Sequence, residues 1–308
     1  MTVIEAAGLS MVFGSHRALD SLDVTVNGGV TGLVGANGAG KTTFMSIVLG
    51  LRPPTEGRVS VLGLEPRRDG ARLRSLIGFG AERNVFPDDM PASDFVKHLT
   101  EVRGIPRSEA KGRASDALWL VGLGEERFRP LGTMSTGQRQ RVKLAQAIAA
   151  DPKLILLDEP TDGLDPAQRD EILALIRQVS NDFGIDILLS SHLLEEVERV
   201  CDSVIAIDAG RLVAQGRLSD LVGDLSGLTV ELVDETDDLA GARGVIAALA
   251  AAGMAVEFDG ERPVFDVDGP AADDVADAVR DAIAGAGARV RRIEPRRRSL
   301  EDLFEVDA

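Results

Sequence analysis

Tyrosine does not occur in the 308 residues, tryptophan occurs once, and the one cysteine, Cys201, has no second thiol with which to form an intrachain disulfide. In Val200-Cys201-Asp202 that thiol reads as packing at a helix end, which sets redox and thiol chemistry aside. No apolar run approaches the roughly 20 residues that span a bilayer, so the chain is not expected to cross a membrane by itself. The first residues, Met1-Thr-Val-Ile-Glu, lack the basic segment and apolar stretch of a secretory signal, and a cytosolic location is the expectation. Basic charge is short as well: 34 Lys and Arg against 50 Asp and Glu leave a formal net charge of -16. Such a surface repels a phosphate backbone over most of its extent, which argues against broad nucleic-acid binding and requires any anionic ligand to be met by a focused site.

What is present is a globular composition, 44% hydrophobic and 27% charged, on a chain long enough for two unequal domains. Up to about residue 220, short β-branched runs alternate with helical stretches, the pattern of strands joined by crossover helices. Leu22–Val26, Val30–Val34, Leu154–Asp158, Ile185–Ser190 and Val204–Ile207 all read as interior strands. Between about 82 and 150 the β-rich runs stop, and helices are expected at Ala92–Arg103, Ser108–Val121 and Ser135–Ala149, a helical insertion. From 221 the order is strand Leu228–Val233, helix Ala240–Ala252, strands Met254–Phe258 and Val264–Val267 around the hairpin signal Asp259-Gly260, helix Ala271–Ala284 and strand Arg289–Ile293. This is the β-α-β-β-α-β arrangement of ferredoxin-like domains.

Three segments carry chemistry. Gly35-Ala-Asn37-Gly38-Ala39-Gly40-Lys41-Thr42-Thr43 follows the strand Val30–Val34 and opens a helix over Lys41–Leu49, the context that a phosphate-binding loop requires. The glycines let the backbone approach the phosphates, the amides and helix end supply positive potential, Lys41 neutralises the β and γ phosphates, and the Thr42 hydroxyl reaches Mg²⁺. Leu154-Ile-Leu-Leu-Asp158-Glu159 is a buried strand ending in two acids that a buried strand does not need for packing. Asp158 suits Mg²⁺, and Glu159 suits a base that polarises water for attack on the γ-phosphate. In Met134-Ser135-Thr136-Gly137-Gln138, Ser135 reads as the N-cap of the following helix.

With Lys41, Asp158 and Glu159 in place, Ser135-Thr136-Gly137-Gln138 resembles the signature motif of the ATP-binding cassette (ABC) family, usually Leu-Ser-Gly-Gly-Gln, with departures at Met134 and Thr136. Asp162-Gly-Leu-Asp165 resembles that family's D-loop, and His192 resembles its switch histidine, a group able to hydrogen-bond the γ-phosphate. Phe13 sits where the family places an aromatic, usually Tyr, against adenine. The resemblance spans nearly all of residues 3–217. It implies an α/β P-loop NTPase (RecA-like) core with an antiparallel β subdomain and a helical insertion, followed by the small α+β domain.

The resemblance also implies ATP hydrolysis with Mg²⁺ held by Thr42, Asp158 and Glu82, in a head-to-tail dimer of two copies, each ATP lying between one phosphate loop and the other copy's Ser135–Gln138. A separate membrane permease would be driven from the cytoplasmic face of a bacterial membrane, and no specific nucleic acid is implied. At Glu82, after Ile77-Gly-Phe-Gly-Ala, the family commonly has Gln. That departure, with Ser-Thr-Gly-Gln and the ending Ser299-Leu-Glu-Asp-Leu-Phe304, is similar to a branch serving drug-exporter-like permeases. The rival is a soluble cassette ATPase acting on DNA or ribosomes, whose best-known relatives carry two cassettes, coiled coils or zinc insertions that this sequence lacks. Arg289, Arg291, Arg292, Arg296, Arg297 and Arg298 form a basic cluster near the end, suited to an acidic partner or anionic headgroups if not simply solvated.

Overall fold

The structure, a computed structural model, describes residues 2–82, 86–221, 227–233, 239–258, 260–269, 272–296 and 300. Asp259, Ala271, Arg297, Arg298 and all of the Ser299–Phe304 ending except Leu300 lie outside them. The chain divides into two compact units, Met1–Leu218 and Ser219–Ala308.

In the first unit a hairpin of β1 (Thr2–Phe13) and β2 (His16–Asn27) precedes β3 (Val30–Val34) and helix α1 (Lys41–Val48); β4 (Glu56–Val61), α2 (Pro66–Leu76) and β5 (Ile77–Gly80) follow. Helices α3 (Ala92–Val102), α4 (Arg107–Leu120) and α5 (Thr136–Ile148) form the expected insertion. The core resumes with β6 (Leu154–Asp158), α6 (Pro166–Phe183), β7 (Asp186–Ser191), α7 (Leu194–Val200), β8 (Ser203–Asp208) and β9 (Arg211–Arg217); one helical turn, α8 (Leu218–Leu221), falls where the two units divide.

Two sheets result. The larger runs β5-β6-β7-β3-β8-β9, parallel except for the last pair, and the smaller is antiparallel, β2-β1-β4. Leu22–Val26 is therefore no interior strand of the parallel sheet: it belongs to β2, on the outside of the antiparallel sheet. Its residues alternate buried and exposed, whereas every residue of β3 and β6 is buried, as strands covered on both faces must be. One apolar core joins the two sheets around α1, with Phe44, Met45 and Ile47 packed among Ile4, Leu9, Leu22 and Leu33.

The second unit holds β10 (Gly227–Val233), α9 (Ala240–Ala251), β11 (Ala255–Phe258), β12 (Val264–Asp268), α10 (Ala272–Ala286) and β13 (Arg289–Arg296). Its antiparallel sheet has the order β11-β12-β10-β13, the split β-α-β-β-α-β topology, closed over Val230, Leu232, Val245, Leu249, Phe265 and Val279. On β13, Arg291 pairs with Glu231 at 3.0 Å and Arg292 with Glu294 at 2.5 Å.

Candidate functional site

The phosphate loop, the paired acids and His192 gather at the carboxyl ends of β3, β6 and β7, which are neighbours in the sheet although far apart in the chain. After Val34 the backbone turns sharply. A Cβ on Gly35 would sit 2.1 Å from the Ile207 carbonyl oxygen, and one on Gly40 2.7 Å from that of Ala18. Gly40 is the N-cap of α1 at φ 110° and no side chain caps the helix, so its first amides remain for a ligand. Lys41, only 6% exposed, donates to the Gly35 carbonyl at 2.6 Å and lies 3.3 Å from Glu159 Oε1, an ion-pair distance without hydrogen-bond geometry.

Glu159 adopts the left-handed conformation, φ 46°, which is strained for a residue with a side chain. Its N–H donates to Ser190 Oγ at 3.0 Å, and the Ser190 hydroxyl donates to Asp158 Oδ1 at 2.6 Å, because Asp158 and Ser190 face each other across β6 and β7. The Glu159 carboxylate then points between two cationic or proton-bearing groups, with Oε2 2.9 Å from His192 Nδ1. Behind it, the buried Glu196 carboxylate accepts from the hydroxyls of Thr161 at 2.7 Å and Ser191 at 2.9 Å, tying the segment after Glu159 to the end of β7.

These groups border a cavity of about 550 Å³ whose wall combines Phe13 and His16 with Asn37, Gly38, Gly40 to Thr43, Glu82, Glu159, Asp162 and His192. Ten of the residues expected from the sequence are thereby brought together: Phe13, Asn37, Gly38, Gly40, Lys41, Thr42, Thr43, Glu82, Glu159 and His192. Asp158 is buried against Ser190, and Gly35 and Ala39 support the loop from inside. His16, which belongs to none of the motifs, faces Phe13 across the hairpin and lines the cavity. Asp162, the first residue of the D-loop-like segment, also lines the cavity, and Ser190 and Glu196 join the site although no motif singles them out. The paired serines closing the apolar run Leu188-Leu189-Ser190-Ser191 were the available signal, since buried hydroxyls need partners.

Ser135, Thr136, Gly137 and Gln138 do not line this cavity. Ser135 and Thr136 are exposed at the start of α5, where Ser135 Oγ accepts from Gln138 N–H at 3.2 Å and Gln138 Oε1 accepts from Ser135 N–H at 3.1 Å. Asp165 caps α6, its carboxylate accepting from Gln168 N–H at 2.9 Å. The insertion grips the outer edge of the parallel sheet: Arg103 donates to the Ile77 carbonyl, Gln146 to that of Phe79 at 2.6 Å and Lys143 to that of Glu82 at 2.8 Å. Burial pulls the Lys143 amine below the usual lysine range, opposed by the carboxylates of Asp162, Asp158 and Glu82.

The side chains expected to hold a metal are all oxygen donors: Thr42 and Glu82, residues of the cavity wall, and Asp158 at the end of β6. Among the described residues no three Asp, Glu, His or Cys side chains converge on one point. That set fits Mg²⁺, which keeps waters and takes substrate phosphate oxygens in preference to an all-protein cage.

A sequence profile of the ABC transporter family matches residues 19–162. The methionine import ATP-binding protein MetN of Mesorhizobium japonicum is 37% identical over 72% of this chain, which spans 62% of that protein's length. The linearmycin resistance ATP-binding protein LnrL of Bacillus subtilis is 31% identical over 74% of this chain and 73% of its own. The daunorubicin resistance ATP-binding protein DrrA3 of Streptomyces coeruleorubidus is 29% identical over 98% of this chain and 95% of its own. Among solved structures, cbiO1 of Clostridium perfringens, part of the ABC transporter complex cbiONQ, superposes with a TM-score of 0.64 at 28% identity, over 70% of this chain and 88% of that one.

Proposed function

The chain belongs to the ABC transporter family as an ATP-binding subunit, and on that premise we propose that it hydrolyses ATP to drive a separate permease exporting a drug-like or lipophilic substrate. The observation that carries the hydrolytic part is the placement of Glu159 between Lys41 and His192 at the cavity wall. Bound triphosphate gives Lys41 a stronger anionic partner than Glu159, leaving the carboxylate to orient and deprotonate a water in line with the γ-phosphate. His192 holds Glu159 from the other side and can donate to a γ-phosphate oxygen. Thr42, Asp158 and Glu82 are the residues to hold Mg²⁺, which neutralises phosphate charge when bound.

Ser135 and Thr136, exposed at the start of α5 and standing apart from the cavity, favour a site completed by a second copy, head to tail and two-fold symmetric. No described helix is long and apolar enough to cross a membrane, which agrees with a separate permease and a peripheral position, on our reading at the cytoplasmic face of a bacterial membrane. Export is favoured over import by the daunorubicin resistance relative, whose similarity extends over the second unit, whereas the methionine importer matches 72% of this chain. The test is transport in inside-out vesicles holding this chain and its permease. ATP-dependent accumulation of a lipophilic drug, absent with Glu159→Gln, is expected; ATP-driven movement of solute out of such vesicles would overturn export.

A further inference from the structure

Phe13 is the aromatic wall of the cavity, 39% exposed and without the hydroxyl by which a tyrosine ring could be tethered. Its ring is nevertheless not unsupported. The guanidinium carbon of Arg52 lies 5.3 Å from the ring centroid, within cation–π range. Arg52 is not part of the cavity wall; it lines a different groove of about 600 Å³ with Pro53, Pro54 and Arg58, to which Phe13 does not contribute. The Phe13 ring thus stands between two hollows, forming part of the cavity wall while its cationic neighbour lines the other.

The local chain explains why the contact forms. Thr55 N–H donates to the Ser10 carbonyl at 2.9 Å, and Val12 N–H donates to Thr55 Oγ1 at 3.0 Å, so the segment after α1 is sewn alongside the end of β1. At its start, the N–H groups of Leu51 and Arg52 both donate to the Ser46 carbonyl, anchoring Arg52 to α1 itself. Arg52 thus joins the helix that presents Lys41 to the ring that would meet the base.

We infer that Arg52 is a positioning residue for nucleotide binding, holding Phe13 flat as a stacking platform for the purine. The inference rests on the reading of Phe13 as the adenine wall. A ring fixed before binding costs less ordering entropy when the base arrives, and a planar guanidinium stacks on it better than an ammonium. Arg52 lies outside the wall that holds Lys41, Thr42, Glu159 and His192, so its effect belongs in KM.

ATPase kinetics of the full chain test this. Arg52→Ala is expected to raise KM for ATP about two- to fivefold with kcat retained, Arg52→Lys to restore part of the loss, and inhibition by inorganic triphosphate, which has no base, to stay unchanged. In a Phe13→Leu background, itself weakened about tenfold, Arg52→Ala should add nothing. An unchanged KM for Arg52→Ala beside a raised one for Phe13→Leu would overturn the inference alone. So would equal weakening of triphosphate, which would make Arg52 a long-range charge, or effects that simply multiply in the double variant. An unchanged KM for Phe13→Leu would remove the adenine platform and the inference with it.

Discussion

Two helix starts in the first unit are built in opposite ways. At α1 the cap is Gly40, with no side chain on the first amides and Lys41 beside them in the cavity wall. At α5 the cap is Ser135, whose hydroxyl is matched by Gln138 in a complete reciprocal box. The first end is left short of partners and so is suited to an anion; the second has part of its set met by its own side chains. A phosphate arriving at Ser135 meets a helix end already held by its own side chains, whereas one arriving at α1 meets uncapped amides beside Lys41. Nucleotide is therefore expected to bind the α1 side first and to recruit the α5 side of a second copy afterwards.

The largest effect that separates the two ends is chemical. Glu159→Gln keeps the shape of the α1 side and its contacts in outline but removes the base, so turnover should fall by about 10²–10⁴ while ATP still binds. The variant should accumulate as an ATP-dependent dimer in size-exclusion chromatography. Turnover within a few-fold of the parent would end the assignment of Glu159, and a monomer with ATP bound would separate the α1 side from any role for the second copy.

Next comes the backbone of the first end. Gly40→Ala asks for a left-handed conformation and drives a methyl into the Ala18 carbonyl and the Leu19 side chain, each 2.7 Å from the new Cβ. A loss of about 1–3 kcal/mol in unfolding free energy is expected, with weaker ATP binding than the stability loss alone produces. Unfolding monitored by circular dichroism, with and without ATP, checks both. If Gly40→Ala is destabilised but binds ATP with unchanged affinity, the uncapped amides are not where the phosphates sit.

Much of this arrangement was legible because its parts are local. The turn after β3, the acids after β6 and the helix capped by Ser135 each lie within one short stretch, where glycine, buried carboxylate and cap residue have fixed physical meanings. The long-range part was harder. That Ser190 stands opposite Asp158 follows from β6 and β7 being neighbours, a fact of sheet order that no local window carries. His16 reaches the cavity through the hairpin pairing that sets it opposite Phe13. The left-handed Glu159 is a tertiary constraint on a residue type that gives no hint of it. The placement of Leu22–Val26 was recoverable, since Leu-Asp-Val-Thr-Val alternates with period two and a strand of the parallel core would not.

The smallest effect tests the second end on its own terms. Ser135→Ala removes the cap acceptor for Gln138 N–H and should cost about 1 kcal/mol, measured by chemical denaturation. That loss says nothing about phosphate, so a companion is needed that keeps the cap and changes the ligand chemistry. Ser135→Asp does this: aspartate caps as well as serine, so stability should stay within a few tenths of a kcal/mol of the parent, but its charge repels a γ-phosphate brought by the second copy. In the Glu159→Gln background, Ser135→Asp should bind ATP as a monomer. A stable ATP-bound dimer of that double variant would mean that the α5 end serves only its own helix, and that the two helix starts do not meet across one nucleotide.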